Sequence, residues 1–432
     1  MSTTYAAGRS GPLLATLALA FLTAVPGSAQ ARCDDTTGLT LPDGFCAELV
    51  AEVPGARHIT VAPNGDIFVA VRNTVRRGAS GRERVPGGVV ALRDTDGDGH
   101  ADVQERFGDD GGTGIWLDGE WLYFAPDDRV LRYHIPPGSL RPDGPAEVIV
   151  SGLPAGTSHS AKSIVVADGW VYVNIGGPSN ACQAQARTQG SPGLDPCPQL
   201  ERRGGIWRFS TARTNQTQDD GERFATGLRN VVALGWNAGT GSLFGVQHGR
   251  DSLHELFPDL FTEEQRVEKP SEEFVLIERG DDFGWPYCYH DPETGRKVLA
   301  PEYGGDGHEV GRCADKKMPL VGFPAHWAPN GLTFYHGDQF PPEYRGGAFI
   351  AFHGSWNRAP APQAGYNVVF QPMDGDRPAG DWVVFADGFA GENVSPGGAR
   401  HRPSGVAVGP DGSLYVSDDR GGAIFRIRWA GR

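Results

Sequence analysis

Beyond residue 31 the sequence has no long uncharged apolar run. A helix that crosses a bilayer needs about 20 such residues, so stable membrane insertion is not expected. None of the six cysteines forms a Cys-x-x-Cys pair, which removes zinc-ribbon, thioredoxin-like and covalent-haem readings. Helical patterning is scarce; the best candidate is Phe257 to Val267, with Pro258 near its start. Positive charge is in deficit, with 39 Lys and Arg against 53 Asp and Glu and a formal net charge of −14. That balance argues against nucleic acid or an anionic membrane as partner.

At the N-terminus, Arg9, the apolar run Leu13 to Val25 and the small-x-small site Ala29-Gln30-Ala31 read as a secretory signal peptide over residues 1–31. Residues 32–432 then form a single domain, periplasmic or secreted. Its even set of cysteines suits disulfides in an exported chain, and six allow 15 connectivities. The local pairs 33–46, 182–197 and 288–313 each close a loop rich in turn residues and are favoured.

Glycine (62) and proline (33) punctuate short β-like runs. A hairpin recurs: His58–Ala62 with Ile67–Val71, Gly114–Leu117 with Trp121–Phe124, and Ser163–Ala167 with Trp170–Val173. Three more copies follow: Val232–Trp236 with Leu243–Val246, Gly331–Tyr335 with Ala348–Phe352, and Gly405–Val408 with Leu414–Ser417. Asn64-Gly65 and Asp411-Gly412 supply favoured hairpin turns. Six similar hairpins predict an all-β, six-bladed β-propeller with loop insertions. The longer gap between the fourth and fifth copies holds Cys288 and Cys313.

In such hairpins the start of the first strand and the end of the second share one rim, around the central axis. The positions before the first strands include Thr113, Ser158-His159, Arg229-Asn230, Pro329-Asn330 and Arg400-His401-Arg402. Those after the second strands include Arg72-Asn73, Asp127-Asp128, Asn174, Gln247-His248, His353 and Asp418-Asp419. Arg, His, Asn and Gln should therefore collect on one face, which suits a small polyanionic ligand.

Several words in this order resemble one family. They are Gly227-Leu228-Arg229-Asn230, Val246-Gln247-His248-Gly249-Arg250-Asp251 and Phe283-Gly284-Trp285-Pro286-Tyr287-Cys288-Tyr289. Phe349-Ile350-Ala351-Phe352-His353-Gly354-Ser355-Trp356-Asn357-Arg358, Arg402-Pro403-Ser404-Gly405-Val406-Ala407 and Tyr415-Val416-Ser417-Asp418-Asp419 continue the series. Together they are similar to the pyrroloquinoline-quinone (PQQ)-dependent sugar and sorbosone dehydrogenases. The resemblance implies PQQ and calcium over the channel mouth, oxidation of a sugar or aldehyde substrate by hydride transfer to PQQ, and an external electron acceptor such as a cytochrome.

The resemblance also assigns roles. His159 is the general base, a task that suits the unperturbed pKa of histidine, and Arg229 stabilises the reduced quinone. Asn230 orients the cofactor; Arg402, Arg400 and Arg358 are its cationic contacts; Gln247 and His353 join them from the rim. Trp356 is an apolar wall or a core residue. Calcium is held by backbone carbonyls near Gly249 and Arg250. Ser158 stands where the family can carry an aspartate before its base, and Thr113 stands nearest the phase of a family glutamine.

A separate metal signal is Asp94-Thr95-Asp96-Gly97-Asp98-Gly99-His100-Ala101-Asp102-Val103-Gln104-Glu105. Asp94, Asp96, Asp98, the His100 carbonyl, Asp102 and Glu105 fill the six ligand positions of a calcium loop. Two other functions compete: a non-enzymatic propeller that binds a protein or glycan, and a metal-dependent lactonase-like hydrolase. The first needs no convergence of His159 with Arg229, Arg358 and Arg402, and the second needs carboxylates around one metal.

Overall fold

Among the described residues, the six hairpins are the inner strands of six four-stranded antiparallel sheets. The computed structural model describes residues 1–4, 37–78, 81–156 and 158–431. The expected signal peptide and Cys33 lie outside them, apart from residues 1–4. The first blade runs Ala56–Val61, Ile67–Val71, Gly88–Arg93 and Val103–Phe107. The second and third begin at Gly112–Asp118 and Ile164–Ala167, the fourth and fifth at Ala233–Asn237 and Pro329–Phe334. The sixth takes Pro403–Val408, Leu414–Asp418 and Ala423–Trp429 from the C-terminus and Phe45–Glu52 from the N-terminus. Pairing of Phe45 with Trp429 through Glu52 with Ala423 closes the ring and leaves no free seam.

Burial explains why these runs are strands. Ile67–Val71 and Ala348–Phe352 are buried at every position, because each is covered by a blade on both faces. The outer strand Val103–Phe107 alternates half-buried with exposed residues. Separate apolar layers fill each gap between neighbouring blades. Phe68 and Phe124 meet between the first and second, and Phe244 and Ile350 between the fourth and fifth. Phe349 and Phe425 meet between the fifth and sixth, and Val69 and Ile424 between the sixth and first.

The innermost strands crowd the axis, and glycine permits it. A Cβ on Gly114 would lie 2.5 Å from the Lys162 carbonyl oxygen, and one on Gly331 2.6 Å from that of Ser404. Ile59, Ile115, Ile164, Leu234, Leu332 and Val406, one from each blade, narrow the channel to a void of about 40 Å³. The axis is therefore a plugged floor under the rim.

The disulfides Cys182–Cys197 and Cys288–Cys313 form as expected. The second staples an insertion in the fourth blade that also carries the hairpin Cys288–Asp291 with Arg296–Leu299. Buried pairs fasten this insertion: Lys297 to Glu273 at 2.7 Å and Lys269 to Asp291 at 2.9 Å. Of the helix expected over Phe257 to Val267 only the part from Glu263 forms, in Glu263–Glu268, and a separate short helix, Leu253–Leu256, ends before the span begins. Pro258 disfavours helical backbone at Phe257, and Thr262 caps the second helix by accepting from Gln265 N at 3.1 Å. Among the described residues no helix is long and apolar enough to cross a membrane.

Candidate functional site

The rim predicted from hairpin phase surrounds a cavity of about 570 Å³. Its lining includes Ser158, His159, Arg229, Asn230, His248, Asn330, His353 and Arg402, all named by phase, together with Gly249 and Trp356. This volume lies in the range of small-molecule sites.

His159 sits in a left-handed backbone conformation, with φ of 57°. Its Nδ1 lies 2.6 Å from the Gly177 carbonyl oxygen. A carbonyl only accepts, so Nδ1 carries the proton and Nε2 keeps the lone pair. Burial, and then the charge of Arg229, pushes its pKa down to about 3, so the ring is neutral at pH 7. Where the family can carry an aspartate and this chain has Ser158, the Gly177 carbonyl orients the ring. The seat is tight: a Cβ on Gly176 would lie 2.7 Å from His159 Cβ, and one on Gly177 2.4 Å from the Trp285 ring. Gly177 N–H in turn donates to Arg229 O at 2.7 Å, which ties the base to the arginine.

The Arg229 guanidinium is buried and almost fully engaged. It donates to Asn180 O, Asn180 Oδ1 and Gly249 O, and pairs with Asp251 at 2.9 Å. Asp251 also receives Arg187 at 2.9 Å and Asn357 Nδ2 at 3.1 Å. Burial would raise the Asp251 carboxyl, but the two guanidinium groups hold it well below the usual carboxylate range. Glu272, whose oxygens accept from Gly249 N and Ala328 N, is pushed up to about 8 by burial.

On the far side, Asp418 accepts the Arg402 backbone N–H at 2.7 Å. Arg402 Nε and Nη2 donate to the carbonyls of His353 and Gly354, at 2.9 and 2.6 Å, so Nη1 is left for a ligand. Arg57 lines the same wall and pairs with Asp419 at 2.6 Å. Asp419 also accepts from His353 Nε2 at 2.6 Å.

Other expected residues fall elsewhere. The Arg358 guanidinium faces inward to the Val267 and Ala325 carbonyls, at 2.7 and 3.2 Å, and outward to Glu268. Its charge is spent on backbone oxygens rather than on the cavity. Arg400 is exposed and does not line the cavity. Gln247 is buried, with Oε1 accepting the Arg229 backbone N–H at 3.1 Å. The Arg250 guanidinium is buried against Glu302, at 2.7 Å for Nη2. Trp356 is 58% exposed at the cavity, so it is a wall and not core.

In the acidic loop, single carboxylate oxygens of Asp94, Asp96 and Asp98 lie within 4.8 Å of one another. Asp102 accepts from Thr95 N at 3.1 Å, and Glu105 pairs with Arg141 at 2.5 Å. Glu105 lies on the strand Val103–Phe107, where side-chain alternation sets its direction. His100 is exposed and its N–H donates to Asp98.

Arg57, Arg187, Asp251, Glu272, His326 and Asn357 line the cavity without having been singled out as site residues. Arg57 directly precedes the first hairpin, so the phase rule already held its signal. Arg187 arrives on the Cys182–Cys197 loop, whose path hairpin phase does not set.

A family model described as TrAA12-like matches residues 39–430. A pyrroloquinoline quinone-dependent pyranose dehydrogenase of Coprinopsis cinerea is 25% identical over 279 residues, 55% of this chain and 37% of that protein. An uncharacterized protein of Borreliella burgdorferi is 31% identical over 210 residues, 48% of each chain. The chain thus spans about half or less of the length of these curated relatives. A Trichoderma reesei member of carbohydrate-active enzyme family AA12 superposes with a TM-score of 0.73 at 17% identity, covering 92% of this chain and 99% of that one. The holo PQQ domain of the Coprinopsis cinerea pyranose dehydrogenase gives a TM-score of 0.72 at 21% identity, covering 93% and 99%. At these identities the structural likeness is one of fold. The family match runs through all six blades and the whole cavity, and the chain belongs to the TrAA12-like family.

Proposed function

We propose that this protein is an exported PQQ-dependent dehydrogenase, its folded domain spanning residues 32–432 after a leader. Its substrate class is an aldose, sorbosone or a related sugar or aldehyde, and its electrons pass to an external acceptor. The observation that carries this reading is His159, neutral and tautomerically fixed by Gly177, in one cavity with Arg57, Arg229 and Arg402.

The residues present fit the cofactor. PQQ is a planar tricarboxylate, and Arg402 Nη1 and the guanidinium of Arg57 offer charged donors on one wall of a cavity large enough for it. When bound, PQQ would supply a quinone carbonyl able to accept a hydride. His159 Nε2 takes the proton of the substrate hydroxyl, and the hydrogen bond from Nδ1 to Gly177 O strengthens as the ring becomes positive. Arg229, held on three sides, is a fixed positive charge that favours negative charge developing on a neighbouring group. Trp356 offers an exposed apolar face for a sugar ring.

Calcium belongs to the same reading at two places. Asp94, Asp96 and Asp98 would hold one ion as hard oxygen donors. The carbonyls of Gly249 and Arg250 would hold a second, with Glu272 as the carboxylate adjoining Gly249.

Turnover tests the function. Protein loaded with PQQ and calcium is assayed by reduction of an artificial electron acceptor with glucose, other aldoses and sorbosone. Saturable, PQQ-dependent reduction that falls in His159→Ala is expected. A folded, calcium-loaded protein that reduces no dye with any of them would favour a binding propeller instead.

A further inference from the structure

Lys162 is completely buried, yet its ammonium meets carbonyl oxygens rather than a carboxylate. Nζ donates to Pro154 O at 2.9 Å and to Ser160 O at 2.6 Å. Burial pushes its pKa down to about 8, so the cation persists at pH 7 at a cost in solvation. The two acceptors bracket the loop that carries Ser158 and His159. Arg203 reinforces the same loop by donating to Ala155 O at 3.2 Å, and Ser160 Oγ donates to Asp127 at 2.9 Å.

This fastening has something to hold. His159 is a non-glycine residue at φ of 57°, a strained conformation that survives only when its surroundings over-determine it. One side is fixed by Gly177 O. The other needs the loop ends held together, and a single cation fanning to both carbonyls does that. The Lys162 backbone packs closely on the neighbouring blade, where a Cβ on Gly114 would lie 2.5 Å from its carbonyl oxygen.

We propose that Lys162 is the positioning residue for His159: its ammonium ties Pro154 O to Ser160 O and so keeps the imidazole on Gly177. This rests on His159 being the base of the proposed dehydrogenase. The strap acts through geometry, so its loss should lower turnover and leave cofactor binding, which uses Arg57 and Arg402, nearly unchanged.

The test compares Lys162→Met with wild type and with His159→Ala, alongside Lys162→Gln, which keeps amide donors in case the methionine variant does not fold. In apo protein labelled with 15N-histidine, the Nδ1–H resonance assigned by its loss in His159→Ala reports the bond to Gly177. In Lys162→Met this resonance should shift and exchange faster. After PQQ loading, kcat should fall about 10–100-fold with KM within about threefold, because a misplacement near 1 Å costs that much. Lys162→Gln should fall between the two. An unchanged resonance and unchanged kcat in a folded Lys162 variant would overturn the proposal while leaving the base assignment intact. Full activity in His159→Ala would instead remove the base assignment, and the resonance would still report whether Lys162 holds the ring.

Discussion

His159 and Arg402 hold their cavity positions by opposite means. His159 is fixed by one short bond and a crowded glycine seat, so its placement is fragile. Arg402 has its backbone and two of its three guanidinium nitrogens anchored, so the charge it presents is robust. Replacing His159 with alanine should lower kcat by about 10²–10⁴-fold, the usual range for a general base, with cofactor affinity little changed. Gly176→Ala should reach part of that loss by displacing the His159 ring, and steady-state kinetics beside a PQQ titration would show whether only kcat moves. Side-chain direction was legible in the sequence only where hairpin phase governs it. His159, Arg229, Asn230, His353 and Arg402 stand at rim positions and converge. Arg358 lies in an irregular loop, where local carbonyls captured its guanidinium. The importance of Lys162 could not be read from sequence, because its acceptors are backbone atoms whose positions depend on the fold.

Strands and loops differ in how much of them the sequence announces. The inner hairpins were plain because apolar runs flank turn residues such as Asn64-Gly65, and the structure pairs Val61 with Ile67 and Val408 with Leu414 across those turns. The helix expected from Phe257 starts only at Glu263, because Pro258 disfavours helical backbone before it and Thr262 supplies the cap. In the acidic loop Asp94, Asp96 and Asp98 stand together, while Glu105 lies on the strand that follows. If calcium binds there, millimolar calcium should raise the melting temperature of wild type and leave Asp96→Asn unmoved, because only a ligand that prefers the folded state stabilises it. Equal shifts in both would place the ion elsewhere. Close strand packing makes its own prediction: Gly331→Ala forces a Cβ to 2.6 Å from Ser404 O and should cost about 1–3 kcal/mol in chemical denaturation.

Across the molecule, burial keeps several histidines neutral. Burial pushes His58 and His248 down to about 4 and His159 down to about 3, from an unfolded value near 6.5. Each therefore takes up a proton on unfolding between those values, so the unfolded state binds more protons and stability falls as pH drops from about 6.5 toward 4. Glu272, raised to about 8, works in the opposite sense above its unfolded value, but three histidines outweigh one carboxyl on the acid side. Urea unfolding in apo protein at a series of pH values should show that loss, and a flat profile from pH 6.5 to 4 would contradict it. Ring closure was not legible in advance, since nothing in Phe45–Glu52 alone says that it pairs with Ala423–Trp429.

The proposed function stands on PQQ binding in the cavity between His159 and Arg402. Equilibrium titration of the purified protein with PQQ, followed by the absorbance of the quinone, tests it directly. One saturable equivalent in wild type, weakened at least about tenfold in Arg402→Gln, is the predicted result, since a hydrogen bond to a charged group contributes about 1.5–3 kcal/mol. No binding at micromolar PQQ to folded, calcium-supplied protein, or equal affinity in wild type and Arg402→Gln, would contradict it.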